Sequence, residues 1–239
     1  MTSPSTRPTL TAYARTAGWL YLVIIVCAGF SEGYVRAMLV VPGDAAATAA
    51  NLLASEGLFR LGLVADLVAF LADAGVAVLL YAVLRPVSRT LSLAAAAFRL
   101  VAHPAIGSLN LLNHLGALVV LQSGSMAGFG EVQREGLALL ALDLHGYGYL
   151  IAGAFFGVHC ALLGVLLYRS ELFPRLLGIL MACAAAGYLI ETGAAFLAPS
   201  LDAAASALVV VTAGIGEVSL CLYLIVRGTR APGENAQPF

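Results

Sequence analysis

The stretch ALDLHGYGYLIAGAFFGVHC, residues 141–160, places a carboxylate and two imidazoles inside an otherwise apolar run. These groups belong to Asp143, His145 and His159. Burying them costs free energy unless each finds a partner, so their presence indicates a specific role. A carboxylic acid and an imidazole can together hold and transfer a proton, which is the basis of general acid–base catalysis. The stretch therefore predicts proton chemistry in an apolar setting.

Helical spacing decides which of these side chains can act together. At about 100° per residue, His145, Tyr149 and His159 fall on one side of a helix, and Asp143 and Tyr147 turn away from them. Neighbours in sequence do not face each other on a helix. We therefore expect the partner of His145 to come from another helix, with Glu191, Asp66 and Asn113 as candidates.

Further polar side chains occur in the other apolar segments. Glu32 and Arg36 are spaced i,i+4 and can pair on one helical face. Five polar residues of a single segment fall within an arc of about 100° and form one stripe: Arg99, His103, Asn110, Asn113 and His114. The remaining ionisable groups are Arg60, Asp66, Asp73, Glu191 and Glu217.

The composition explains why these residues are costly to bury. Of 239 residues, 61% are hydrophobic and only 10% are charged, whereas soluble domains carry about 25% charged residues. The mean hydropathy is +0.96. A net charge of −1 gives no indication of nucleic-acid binding. The chain is predicted to be a polytopic membrane protein.

Six apolar segments are long enough to cross about 30 Å of hydrocarbon. They lie at 15–41, 57–84, 92–121, 136–168, 174–197 and 203–226. The alternation expected of a membrane β-barrel is absent from these segments, and helices satisfy all their backbone groups internally. The predicted fold is an all-α, six-helix membrane bundle.

The longest connection predicts an additional short helix. Residues 40–60 read VVPGDAAATAANLLASEGLFR, in which Asp44 follows Pro-Gly and precedes helix formers. Asp44 is therefore a good N-cap for a helix lying at the membrane surface. The predicted organisation is a cytoplasmic tail (1–14), a transmembrane domain (15–228) and a disordered cytoplasmic tail (229–239).

Arginine placement predicts the orientation in the membrane. One set of segment ends carries eight arginines, and the opposite set carries Arg134 alone. Because positive charge is retained on the cytoplasmic side, both termini are expected in the cytoplasm and the chain in the inner membrane. The eight are Arg7, Arg15, Arg85, Arg89, Arg169, Arg175, Arg227 and Arg230.

With this orientation, most of the buried ionisable groups lie in the outer half of the bundle. A charge near mid-bilayer costs roughly 2.5–3.5 kcal/mol, so these groups are expected to converge on one interior polar cavity. Asp143, His145 and Glu191 are the predicted catalytic residues. The predicted substrate-binding residues are Glu32, Arg60, Asp66, Asn113, Tyr149 and Glu217. No metal ligands are assigned.

Four stretches resemble a bacterial membrane family catalogued as domain of unknown function 4386. They are VPGDAAATAANLLASEGLFRLGLVADL, LDLHGYGYLIAGAFFGVHCALLG, FPRLLGILMACAAAGYLIE and GEVSLCLYLIVRG. The resemblance covers nearly the whole chain. It implies a six-helix membrane protein and supplies no activity. The residues that match the family pattern are Asp44, Asn51, Glu56, Arg60, Asp66, Asp143, His145, Tyr147, Tyr149, His159, Glu191 and Glu217.

Several functions are compatible with this pattern. The favoured one is an intramembrane acid–base enzyme acting on a lipophilic substrate, a lipid or an isoprenoid. The alternatives are a proton-coupled transporter or channel subunit, a scaffold protein of the membrane, and a haem or metal site using His145 and His159. A zinc site that uses His145 and Asp143 would need another histidine, in suitable geometry, as its third ligand. The sequence does not identify a cofactor. The expected partners are the bilayer, a lipophilic ligand and a second copy of the chain.

Overall fold

The structure is a computed structural model that describes residues 7–122 and 124–230. Every regular element among these residues is helical. Six of these helices are long and apolar enough to span a membrane, which confirms the predicted fold class. In chain order the helices are α1 (Thr9–Leu39), α2 (Ala45–Ala54), α3 (Glu56–Leu84), α4 (Arg89–Gln122), α5 (Glu131–Arg169), α6 (Arg175–Leu197) and α7 (Pro199–Val226).

The short helix α2 begins where the sequence predicted. Asp44 has an extended backbone, and its Oδ1 accepts a hydrogen bond from the Ala47 amide at 2.9 Å. Two further contacts tie α2 back to the end of α1: the Val41 amide donates to Thr48 Oγ1 (3.0 Å), and Asn51 Nδ2 donates to the Leu39 carbonyl (3.3 Å). The helix is thus fixed beside one end of the bundle, which we name the α2 end.

Several helices begin earlier than predicted. The backbone is already helical at Arg7, just before the apolar span of α1 begins at Thr9, rather than from residue 15. Pro8 is compatible with a first helical turn because that turn needs no amide donor. The amino terminus of α4 is capped by Ser88, whose Oγ accepts from the Leu91 amide at 3.4 Å. Residues 1–6 of the predicted amino-terminal tail, and residues 231–239 of the predicted disordered tail, lie outside the described residues.

Helix α5 is the central element, since it packs against α2, α4 and α6, while α1 packs against α3 and α7. Helices α5 and α6 approach each other closely, since a Cβ on Gly164 would lie 2.9 Å from the Gly178 carbonyl oxygen. Small residues permit such crossings in membranes. Large apolar side chains cover the outside of the bundle, as a lipid-facing surface requires; they include Leu71, Leu109, Leu112, Val210 and Leu222.

Two π-helical segments interrupt the long helices, at Ser31–Arg36 in α1 and at Val101–Gly107 in α4. A π turn contains an extra residue and changes which side chains face the interior. In the first segment both Val35 and Arg36 are buried although they are adjacent in sequence. The π turn therefore helps to bring the Arg36 guanidinium into the bundle.

Candidate functional site

Four helices each contribute one buried ionisable side chain near the α2 end. Arg36 comes from α1, Asp66 from α3, His114 from α4 and His145 from α5, and each is at most 7% exposed. Ligand-type atoms of Asp66, His114 and His145 all lie within 4.8 Å of one another. We name the four residues the α2-end cluster, and the last three of them the triad.

Arg36 supplies the positive charge of this cluster. Its Nη1 donates to Asp66 Oδ2 at 2.6 Å and to Ser31 Oγ at 2.9 Å. Its Nε donates to Glu32 Oε2 at 2.7 Å, which confirms the predicted i,i+4 pair. The Glu32 side chain is 68% exposed, so the ion-pair network runs from the surface of α1 to the buried Asp66 carboxylate.

Backbone carbonyl groups determine the tautomers of the two histidines. His145 Nδ1 lies 3.0 Å from the Asn110 carbonyl oxygen, and His114 Nε2 lies 3.3 Å from the Phe59 carbonyl oxygen. A carbonyl oxygen only accepts hydrogen bonds, so each of these nitrogens is assigned the ring proton. In the neutral imidazoles, His145 Nε2 and His114 Nδ1 therefore carry lone pairs.

Some of the atoms facing this cluster have no hydrogen-bond partner. His145 Nε2, Asp66 Oδ1 and Arg36 Nη2 are buried and make no hydrogen bond, although the Tyr149 hydroxyl interacts with the Asp66 carboxylate. His114 Nδ1 lies 3.4 Å from Arg36 Nη1. Buried polar atoms are almost always satisfied, because leaving one unpaired costs about 1–3 kcal/mol. The cluster thus has unused bonding capacity, with lone pairs on the triad and one free guanidinium donor.

Helices α4 and α5 hold His145 in place through a pair of asparagines. Asn110 Nδ2 donates to the His145 carbonyl oxygen at 2.7 Å, and Asn113 Nδ2 donates to Asn110 Oδ1 at 2.9 Å. Gly148 provides the room for this clamp, since a Cβ there would overlap the Asn110 amide group. The Tyr149 ring meets the His145 ring edge-on, with centroids 5.0 Å apart.

A second buried group, the central cluster, surrounds Arg99. The guanidinium pairs with Asp73 through Nη2 and Oδ1 at 2.5 Å, and Nη1 donates to His159 Nε2 at 3.0 Å. His159 Nδ1 in turn bonds to the Ala95 carbonyl oxygen at 2.8 Å. His103 Nδ1 lies 3.4 Å from the other Asp73 oxygen. Both nitrogens of His159 are thus paired, whereas His145 has a partner for Nδ1 only.

Glu217 belongs to the central region and not to the α2-end cluster. Its two carboxylate oxygens accept hydrogen bonds from Tyr21 (2.9 Å) and Tyr188 (2.6 Å). The Arg99 guanidinium carbon lies 4.6 Å from the centre of the Tyr21 ring. These contacts link α1, α6 and α7 and are typical of a structural polar network.

Aromatic rings separate the two clusters. The Phe70 ring stacks on His103 with centroids 5.9 Å apart and lies 6.3 Å from the Tyr149 ring. His103 and Tyr149 are themselves 6.4 Å apart. This layer has no ion pair across it among the described residues, so the α2-end and central clusters are distinct sites.

Besides Glu217, three predicted site residues lie away from the α2-end cluster. Arg60 is 53% exposed and pairs with Glu56 one turn earlier at 2.7 Å. Asp143 is exposed on the face of α5 opposite His145, and half-buried Glu191 interacts with Ser206 of α7. The predicted convergence of all the charged groups on one cavity is therefore wrong for these three and for Glu217, because their contacts and exposure place them away from the triad. Their predicted roles stay predictions.

Three residues of the site were not predicted from the sequence, although all three are polar: Arg36, His114 and Asn110. A usable signal was present, since Asn110 and His114 are spaced i,i+4 in the polar stripe of α4. The structure adds that this face of α4 meets α3 and α5. Of the predicted residues, Asp66 and His145 are in the triad. Asn113 contacts the supporting Asn110, and Tyr149 contacts His145 itself.

Comparison with known proteins gives the family. Residues 16–228 match the family model described as Domain of unknown function (DUF4386). The chain belongs to this family. It is also similar to an uncharacterized protein of Archaeoglobus fulgidus, with 30% identity over 158 residues that cover 66% of this chain and 78% of the other. No solved structure matches.

The DUF4386 match includes every residue of the α2-end cluster and of the central cluster. It supports the membrane-protein class and assigns no chemistry to either cluster.

Proposed function

We propose that this DUF4386 protein is an intramembrane enzyme that performs acid–base chemistry on a lipophilic substrate, a lipid or an isoprenoid, at the α2-end cluster. The observation that carries the proposal is the unpartnered His145 Nε2, which is buried in the same cluster as the unpartnered Asp66 Oδ1. Lone pairs without hydrogen-bond partners are free to engage a reacting group. Such buried ionisable clusters are functional candidates by default in membrane proteins.

In this proposal the carboxylate of the site is Asp66 rather than Asp143 or Glu191. Asp66 is fully buried and lies within reach of both triad imidazoles. Arg36 holds its other oxygen at 2.6 Å and so keeps the carboxylate oriented. Asn110 fixes the tautomer and position of His145 from the opposite side.

The setting of the site favours a lipophilic substrate over a water-soluble one. The triad lies between membrane-length helices whose outer faces are apolar. Half-buried Asn113 and Tyr149 form the edge of the cluster, and we place the approach of the substrate there. The bilayer itself then delivers the substrate, and no large aqueous vestibule is required.

A proton-coupled transporter is the alternative suggested by the sequence. It would need a polar route from the α2-end cluster to the central cluster. The Phe70 and Tyr149 rings lie between the two, and Asp73 is already paired with Arg99. These contacts favour a single local site, and hence the enzyme.

Untargeted lipid analysis of membranes tests the proposal. Wild type and His145→Gln are expressed in the same bacterial host, and total lipid extracts are compared by mass spectrometry. Glutamine preserves hydrogen bonding and approximate volume but lacks the imidazole. We expect at least one lipid or isoprenoid species to rise or fall with wild type and to stay at the empty-vector level with His145→Gln.

Tyr147→Phe is the matched control, since Tyr147 lies on the same helix two residues away and is exposed. It should reproduce the wild-type lipid profile. Both variants are first shown to fold by thermal unfolding in detergent. Identical lipid profiles for wild type, His145→Gln and empty vector would rule out a lipid-modifying activity in that host, and the proposal would fail.

A further inference from the structure

The triad has the composition of a transition-metal site. Two histidines and one carboxylate are the protein ligands of many catalytic zinc sites and of the facial triad that binds non-haem iron(II). Here the three ligands come from α3, α4 and α5, and their ligand atoms lie within 4.8 Å of one another. A single ion placed between them could reach all three after small side-chain movements.

The surroundings of the histidines match those of metal ligands. A metal-binding imidazole usually donates its other ring N–H to a carbonyl or carboxylate group, which fixes the lone pair towards the metal. His145 does this with the Asn110 carbonyl and His114 with the Phe59 carbonyl. Since the nitrogens bonded to those carbonyls carry the protons, the free lone pairs are His145 Nε2 and His114 Nδ1.

Unpartnered buried atoms provide a second, independent observation. His145 is 2% exposed and Asp66 is fully buried, yet His145 Nε2 and Asp66 Oδ1 have no hydrogen-bond partner. The third ligand atom, His114 Nδ1, has only the long 3.4 Å contact to Arg36 Nη1. Coordination to a cation would satisfy all three atoms together.

The local charge also favours a cation. Asp66 and Glu32 bring two negative charges, and Arg36 brings one positive charge. With both histidines neutral, the net charge of the α2-end cluster together with Glu32 is −1. Arg36 Nη1 contacts two of the three ligands, so the guanidinium stands near the position where the metal would bind.

We propose that Asp66, His114 and His145 bind one divalent first-row transition-metal ion, and that Arg36 neutralises Asp66 when the ion is absent. This metal site concerns the chemistry of the same cluster, and the inference therefore rests on the proposed function. Metal binding is nevertheless measurable without any substrate. The central cluster does not meet the same requirements, because both nitrogens of His159 are already paired.

The test uses the full chain purified in detergent with chelator and then equilibrated separately with Zn²⁺, Co²⁺ or, without oxygen, Fe²⁺. Bound metal is measured by elemental analysis after desalting, and Co²⁺ is also followed by its visible absorption. We expect one equivalent per chain in wild type. Asp66→Asn and His145→Gln should bind at least ten-fold more weakly, since even supporting residues of metal sites change affinity by about 10–100-fold.

His159→Gln is the matched control. His159 is a buried histidine on the same helix as His145 and also bonds to a backbone carbonyl, but its Nε2 faces Arg99. It should keep the wild-type stoichiometry. Should it fail to fold, Asp202→Asn, which removes an exposed carboxylate of α7, replaces it. Zn²⁺ should also raise the melting temperature of wild type and of the control, and leave the two triad variants unchanged.

The outcomes separate this inference from the proposed function. Wild type that binds no stoichiometric metal overturns the metal site, and so does equal binding by wild type and both triad variants, which would indicate an adventitious ion only. If the lipid profile still depends on His145 in that case, the enzyme proposal survives without the metal. Stoichiometric binding with no change in lipids would overturn only the enzyme proposal.

Discussion

Arg36 is the residue on which the stability of the α2-end cluster depends most. Its guanidinium contacts a carboxylate from its own helix, Glu32, and a fully buried carboxylate from α3, Asp66. Removing one partner of a buried ion pair costs roughly 3–5 kcal/mol, because the other charge is left without compensation. The cluster therefore requires a cation, and the proposed metal is a second way to provide one.

Arg36→Gln tests this requirement. We expect the variant to unfold at a lower temperature than wild type in metal-free buffer, because Asp66 loses its counter-charge. Adding Zn²⁺ should recover part of the lost stability, because the ion then neutralises the carboxylate. Thermal unfolding in detergent, with and without Zn²⁺, measures both effects.

The double variant Arg36→Gln with His145→Gln is the control for the rescue. It lacks one ligand of the triad, so Zn²⁺ should restore little of its stability. Equal rescue of the single and double variants would argue against the triad as the metal site, and an Arg36→Gln variant as stable as wild type would argue against the charge requirement.

At the scale of single elements, α2 shows how a short helix is anchored at one end of the bundle. Its amino terminus is capped by Asp44, and its side chains bond to the backbone at the end of α1. A helix of ten residues has little stability by itself. The cap and the contacts with α1 and α5 therefore keep α2 in place.

Substitutions of Asp44 test the contribution of the N-cap to the stability of α2 separately from the contacts of α2 with α1 and α5. Asp44→Ala should destabilise α2 by about 1 kcal/mol, whereas Asp44→Asn should behave like wild type because asparagine caps equally well. Hydrogen–deuterium exchange of the α2 amides measures the difference. Equal exchange in the alanine and asparagine variants would show that the cap contributes nothing.

The crossing of α5 and α6 tests the role of small residues. Gly164→Val should destabilise the bundle by roughly 1–3 kcal/mol through overpacking, since even a Cβ would lie 2.9 Å from the Gly178 carbonyl oxygen. Gly146→Val on the same helix is the control, because a Cβ there meets no neighbour within 4 Å. Thermal unfolding that falls equally in both variants would point to helix propensity rather than packing.

For the whole molecule, the arginine distribution predicts the orientation of the bundle. The ends of the membrane helices opposite α2 carry most of the arginines that lie outside the apolar segments. We therefore expect both termini in the cytoplasm and the α2 end on the outer side. This orientation would place the triad in the outer half of the bilayer.

Reporter fusions measure the orientation. Alkaline phosphatase fused after Phe239 should be inactive, and a fluorescent protein fused at the same position should fold and fluoresce in the cytoplasm. The same pair of reporters inserted in the connection between α4 and α5 should give the opposite result. An active phosphatase after Phe239 would reverse the predicted topology.

The sequence by itself determined the class of the fold and its local features. Six apolar runs specify six spanning helices, since hydrocarbon leaves the backbone no other way to satisfy its hydrogen bonds. The Asp44 cap and the Glu32–Arg36 pair also followed from the sequence, because each depends on residues three or four positions apart.

Only the tertiary structure decided which polar residues meet. Which side chains of neighbouring helices face each other depends on the rotation of each helix about its axis and on the π turns in α1 and α4. A shift of one residue turns a side chain by about 100° around the helix axis. His145 therefore meets His114 and Asp66 in the interior, while Asp143, two residues away on the same helix, is turned outward. Hydropathy and spacing along one segment contain no information about these rotations, because the packing of all the helices sets them together.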